Sequence, residues 1–116
     1  FLTKDGAPYG AFGVMGGFMQ PQGHVQTLLE LLRYGRNPQA TLDAPRFMWT
    51  GEKTLVVEED YDEKAVEELI RRGHDVKRPS HDLDMGRGQY LLYDRKRKVY
   101  MGGTEKRCDG YIALIE

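Results

Sequence analysis

The sequence predicts an α+β fold, antiparallel strands covered by helices. Three observations carry that expectation. Short runs rich in aromatic and β-branched residues, bounded by turn signals, outnumber helical segments. Apolar residues recur at helical spacing in only two longer segments. Repeats, low-complexity tracts and linkers long enough to separate domains do not occur, so 116 residues form a single domain, residues 1–116.

The elements follow in order. Phe1 to Thr3 and Tyr9 to Met15 flank Lys4-Asp5-Gly6-Ala7-Pro8, whose Asp-Gly pair marks a hairpin turn. The second strand runs into Gly16-Gly17, and Pro21 lies in the turn that follows. Val25, Leu28, Leu29 and Leu32 then share one helix face at i, i+3, i+4 and i+7, with His24 in the first turn and Gly35 past the end. Asn37 as cap and Pro38 at the first position open a shorter helix ending near Pro45. Strands are expected at Phe47 to Trp49 and Thr54 to Glu58. Asp62 caps a helix through about Arg72 with Ala65, Val66, Leu69 and Ile70 buried, and Gly73 stops it. Val76 begins a short extended piece, Gln89 to Tyr93 and Lys98 to Met101 form a hairpin, and Tyr111 to Ile115 is a last strand.

Composition narrows function. With 17 basic and 18 acidic residues the net charge is −1, which gives no general attraction to nucleic acid, and Arg95-Lys96-Arg97-Lys98 reads as a solvated hairpin tip. No apolar run approaches the ~20 residues of a membrane helix, so neither nucleic acid nor membrane is an expected partner. The single cysteine, Cys108, rules out an internal disulfide, and His24, His74 and His81 lack metal-ligand spacing, so no metal and no cofactor is expected. The opening residues carry no signal pattern and lack an initiator Met. That leaves the compartment open, with the cytoplasm favoured.

Nucleophiles are scarce. Ser80-His81-Asp82 adjoin along the chain, but a triad needs side chains that converge in space, and neighbours on a loop do not. Gly16-Gly17 remains. A glycine pair between strand and helix permits a tight turn, a phosphate cradle, or an oxyanion hole in which two backbone N–H groups face an acyl oxygen. The Lys-Ser/Thr of a P-loop and the third glycine of a dinucleotide fingerprint are absent.

The order "GVMGGFMQPQGHVQTLLELLRYGRNPQATLDAPRF", "LVVEE", "LIRRGHDV", "GRGQ" and "YMGGTEKRCDGYI" resembles the C-terminal part of the small subunit of the γ-glutamyltranspeptidase family of N-terminal-nucleophile hydrolases. The likeness spans nearly the whole chain. It implies part of an αββα sandwich and an enzyme that cleaves γ-glutamyl or related amides through an acyl-enzyme, passing the acyl group to water or an amine. The family's nucleophile is a threonine exposed by autocatalytic cleavage, expected upstream of Phe1, so this stretch alone is expected to be inactive. The implied partners are a γ-glutamyl small-molecule or peptide substrate, the large subunit and the N-terminal part of the small subunit; homo-oligomer formation stays open. Matching the family's motif, Gly16 and Gly17 become the backbone oxyanion donors. Phe18-Met19-Gln20-Pro21-Gln22 departs from the family's usual small polar residue and Arg, resembling its transpeptidase-like branch, and makes Gln20, Gln22 and His24 candidate substrate-binding residues. Asp43, Pro45 and Arg46 read as a helix terminus leading into a strand and are assigned to structure. The alternative is a non-catalytic α+β module that binds an anion or a protein partner at the Gly16-Gly17 turn.

Overall fold

The computed structural model describes residues 1–114, the side chains of Asp82 and Leu83 excepted. Its elements are β1 (Leu2–Lys4), β2 (Ala7–Met15), α1 (Met19–Leu32), α2 (Pro38–Asp43), β3 (Phe47–Gly51), β4 (Thr54–Val57), α3 (Glu63–Arg71), β5 (Asp75–Lys77), a 3-10 turn (Asp82–Met85), β6 (Arg87–Asp94) and β7 (Val99–Thr104). They form a four-stranded antiparallel sheet, β1-β2-β6-β7, and a three-stranded sheet, β3-β4-β5. The α+β expectation holds, with one addition: β4 and β5 pair in parallel through the crossover of α3.

Local chemistry explains most boundaries. Asp5 and Gly6 both have positive φ, 53° and 72°, the conformation a two-residue hairpin turn requires. Asn37 accepts from the Ala40 N–H at 2.8 Å and Asp62 from the Ala65 N–H at 3.1 Å, capping α2 and α3. α1 starts earlier than its apolar spacing implies, at Met19, because Pro21 falls in the first turn, where a missing N–H costs no helical bond. His24 therefore sits in the second turn.

The burial of α1 overturns the stripe expected from its sequence. Its buried residues are Met19, Gly23, Thr27 and Leu31, whereas Val25, Leu29 and Leu32 are 58%, 46% and 61% exposed. The reason is the closeness of β2. A Cβ at Gly23 would lie 2.8 Å from Val14 Cγ1, so the middle of the helix approaches the sheet through the small residues Gly23 and Thr27, with Met19 and Leu31 buried at either end and Val25, Leu29 and Leu32 turned outward. In α3 Val66 is buried as expected, but Ile70 is 55% exposed.

The last strand is also corrected. Tyr111 to Leu114 pair with no strand, because this segment lies on the sheet instead of extending its edge. Ile112 Cδ1 is 3.1 Å from where a Cβ at Gly102 would stand. Ile115 lies outside the described residues.

Two apolar clusters result. Leu31, Leu42, Tyr90 and Leu92 lie between the four-stranded sheet and α1–α2. Leu55, Val57 and Val66 lie between the small sheet and α3. α1 is stitched to the small sheet by two glutamines one turn apart. Gln22 donates to the Trp49 carbonyl (3.0 Å) and accepts from the Trp49 N–H (2.8 Å). Gln26 does the same with Phe47, at 2.8 and 3.0 Å. Each amide satisfies one donor and one acceptor on the β3 edge, as a neighbouring strand would.

Candidate active site

The glycine pair stands where β2 ends and α1 begins, and its geometry explains the residue type. Gly16 has φ +150° and Gly17 φ +56°, and a Cβ at Gly16 would lie 2.9 Å from Gly86 Cα. Position 16 thus admits only glycine on grounds of space, and position 17 favours it on grounds of backbone conformation. The Gly16 carbonyl accepts from Met19 N–H (3.0 Å) and the Gly17 carbonyl from Gln20 N–H (3.1 Å). Both carbonyls are thereby committed to the start of α1. Among the described residues, the N–H groups of Gly16 and Gly17 donate to no protein acceptor. Two adjacent free donors at a helix N-terminus suit an anion or an oxygen that becomes negative during a reaction.

Beside this turn a hollow of about 670 Å³ opens on the four-stranded sheet. Met15 and Gln20, on either side of the glycine pair, line it, together with His24, Arg87, Gln89, Tyr111 and Ile112; Gly16 and Gly17 themselves do not. His24 is held from both ring nitrogens. Its Nδ1 lies 2.5 Å from the Gln20 carbonyl, and its Nε2 accepts from the Val14 N–H at 3.4 Å. A carbonyl can only accept and a backbone N–H can only donate, so these contacts fit the neutral ring with its proton on Nδ1. Phe12 packs edge-on against it, with centroids 5.5 Å apart.

The candidate residues of the sequence are therefore divided. Gln20 and His24 come together at the hollow, next to Gly16 and Gly17. Gln22 points to β3, where both ends of its amide are engaged. Ser80 donates locally to Asp84 at 2.9 Å. No group of three or more His, Cys, Asp or Glu residues is placed to hold a metal among the described residues.

Sequence reasoning missed a buried network of charges that reaches the Gly86 carbonyl behind the same turn. Arg46, Glu105, Arg107 and Glu58 form one network of charges, with Arg46 1% and Glu105 2% exposed. Arg46 bonds Glu105 at 2.9 Å, Arg107 bonds Glu105 at 2.6 Å, and Arg107 also holds Glu58 through both Nε and Nη2. Arg46 Nη2 and Arg107 Nη1 also reach the Leu42 carbonyl, and Arg107 Nη2 reaches that of Ala44, at the end of α2, while Arg46 Nε is buried with no partner among the described residues. Burial pushes the Glu105 carboxyl up, but the charge of Arg46, the hydrogen bond from Arg107 and the N–H of Gly88 hold it, on balance, below its ordinary value. Burial and the nearby Arg107 lower Arg46, while Arg107 is raised: burial opposes it, but it faces two carboxylates. The available signal was positional. Glu58 closes the strand expected from the sequence, and in the structure Glu58 and Glu105 directly follow β4 and β7, where a carboxylate can turn inward to meet an arginine.

Two sheets, one with helices across one face, and a glycine turn between strand and helix define an α+β domain. The chain belongs to the gamma-glutamyltranspeptidase family, whose model matches residues 1–115. Glutathione hydrolase-like YwrD proenzyme of Bacillus subtilis (strain 168) is 32% identical over 115 residues, covering 94% of this chain and 22% of that protein. Among solved structures, cephalosporin acylase from Bacillus halodurans is 46% identical with a TM-score of 0.94, over 98% of this chain and 21% of that one. Gamma-glutamyltranspeptidase from Pseudomonas nitroreducens, solved with L-DON, shares the fold with a TM-score of 0.86 at 18% identity, over 99% of this chain and 60% of that one. The chain thus spans about a fifth of the curated relative.

Proposed function

We propose that this chain is the C-terminal part of the small subunit of an N-terminal-nucleophile amidohydrolase of the transpeptidase-like branch. In that reading an upstream threonine attacks an amide carbonyl, and Gly16 and Gly17 donate their N–H groups to the oxygen as it becomes negative. The acyl-enzyme then passes its acyl group to water or an amine. The observation that carries the reading is the pair of unengaged N–H groups at a turn whose carbonyls are both occupied, in a chain of this family. Removing one such donor typically costs ~10²–10³ in rate.

The substrate is an amide, γ-glutamyl or related. The names of two relatives, a glutathione hydrolase-like proenzyme and a cephalosporin acylase, favour amide cleavage with a variable acyl group. Gln20 supplies a polar side chain beside the glycines and is the residue proposed to contact it, while His24, with both ring nitrogens engaged, lines the hollow with its ring. Gln22 acts indirectly, by fixing α1 on β3. No cofactor enters this chemistry.

The test follows full-length protein on a denaturing gel over time while a chromogenic γ-glutamyl amide is supplied. Two subunits appearing together with amide release support the reading. An uncut chain without release points instead to a non-catalytic binding module.

A further inference from the structure

We propose, building on the oxyanion reading of Gly16 and Gly17, that Arg46 is the positioning residue of their turn. Its side chain touches neither the hollow nor the glycine pair. It acts through the chain segment that enters β6.

Arg46 Nη1 donates to the carbonyls of both Met85 and Gly86, at 3.0 and 3.1 Å. Gly86, with φ +77°, is the residue whose Cα sits 2.9 Å from the Cβ position of Gly16. A Cβ at Gly86 would in turn lie 2.9 Å from the Met15 carbonyl oxygen. The two backbones thus meet without intervening side chains, and any shift of Gly86 is felt at Gly16.

Glu105 makes the clamp two-sided. One of its oxygens, Oε2, accepts from both Arg46 Nη2 (2.9 Å) and the Gly88 N–H (2.8 Å). Gly88 pairs with Val14, and Arg87 with Met15, in the β2–β6 ladder. A single guanidinium–carboxylate pair therefore fixes Met85, Gly86 and Gly88 against the end of β2. The Arg46 N–H reaches Glu58 Oε2 at 2.6 Å, which ties the clamp to the small sheet. A lysine at 46 keeps the charge but loses the planar fork that reaches three carbonyls and a carboxylate at once.

The experiment compares full-length wild type with Arg46→Lys and, as a second variant that keeps side-chain volume, Glu105→Gln. Amide exchange is read at Met19 and Gln20, whose N–H groups bond to the glycine carbonyls, and kcat and KM are read on the chromogenic amide. Val57→Ala, in the small sheet's core, is the control for general destabilisation. Expected are exchange at Met19 and Gln20 faster by about tenfold or more, and kcat lower by about tenfold with KM within about twofold, in both clamp variants but not in the control. Unchanged exchange overturns the proposal, as does an equal loss of kcat in Val57→Ala. If wild type itself releases no amide, the catalytic reading fails, while faster exchange in the variants still upholds Arg46 as the holder of the turn.

Discussion

Glu105 is a buried carboxyl group that contributes to the pH response of the fold. Its folded pKa lies below its ordinary value of 4.5, because Arg46 and the hydrogen bonds outweigh burial. A depressed carboxylate stabilises the native state above its unfolded pKa, and that stabilisation is lost as pH falls through the folded value. Wild type should therefore unfold at constant temperature from neutrality down to about pH 5 and progressively lower below that. Glu105→Gln should be less stable at neutral pH, and its deficit should narrow toward about pH 3; a constant gap across that range in thermal scans of the full-length protein would contradict this. Legibility was poorest at the residue scale. The segment "DAPRF" is readable as a helix end entering a strand, and the structure has α2 ending at Asp43 and β3 beginning at Phe47. That Arg46 between them is fully buried depends on carboxylates 12 and 59 residues away in sequence, and neither local propensity nor periodicity records such a meeting. The glycine pair was legible as a turn because positive φ is a local demand; that position 16 also has no room for a Cβ comes from Gly86, distant in sequence.

At the scale of elements, caps and turns were readable and packing faces were not. The Asn37 and Asp62 caps and the Asp5-Gly6 hairpin rest on neighbours in sequence. The buried face of α1 rests on how close β2 approaches. Val14 is the crux, since it is boxed by glycines: Cβ positions at Gly23 and Gly86 lie 2.8 and 2.9 Å from its Cγ1, and that at Gly88 lies 3.4 Å from its Cγ2. Gly23→Ala gains about 1 kcal/mol in helix propensity. The β-branched Val14 cannot rotate away, however, and overpacking of this kind costs about 1–3 kcal/mol. A net loss of about 1 kcal/mol is expected, seen as a lower melting temperature. Val14→Ala alone leaves a cavity, but combined with Gly23→Ala it should cost less than the sum of the two, because the new methyl occupies the vacated space. Strict additivity in the double variant would show that the two side chains do not compete.

For the molecule as a whole, the two apolar clusters do not merge; a charged network and two glutamine side chains join the sheets. The radius of gyration is 15.6 Å, with extents of 49 × 30 × 23 Å. A compact chain of this length is expected near ~13 Å. The excess has visible counterparts: α1 turns Val25, Leu29 and Leu32 outward, and the four-stranded sheet leaves Met15 and Leu91 about half exposed on the face away from its helices. Apolar surface spread over two faces of one small unit favours association in water. Expressed alone, the 116 residues should therefore bind an environment-sensitive apolar dye and elute above the size of a 13.3 kDa monomer. The full-length protein should bind little dye per mole, and aspartate at Val25 and Leu29 should lower dye binding by the isolated chain. The same pair of substitutions separates two origins of the exposed stripe. If they also lower the melting temperature of the full-length protein, the stripe is covered there by the rest of the protein. If they leave it unchanged, α1 faces water in the intact protein too, and the sheet face alone accounts for association of the isolated chain.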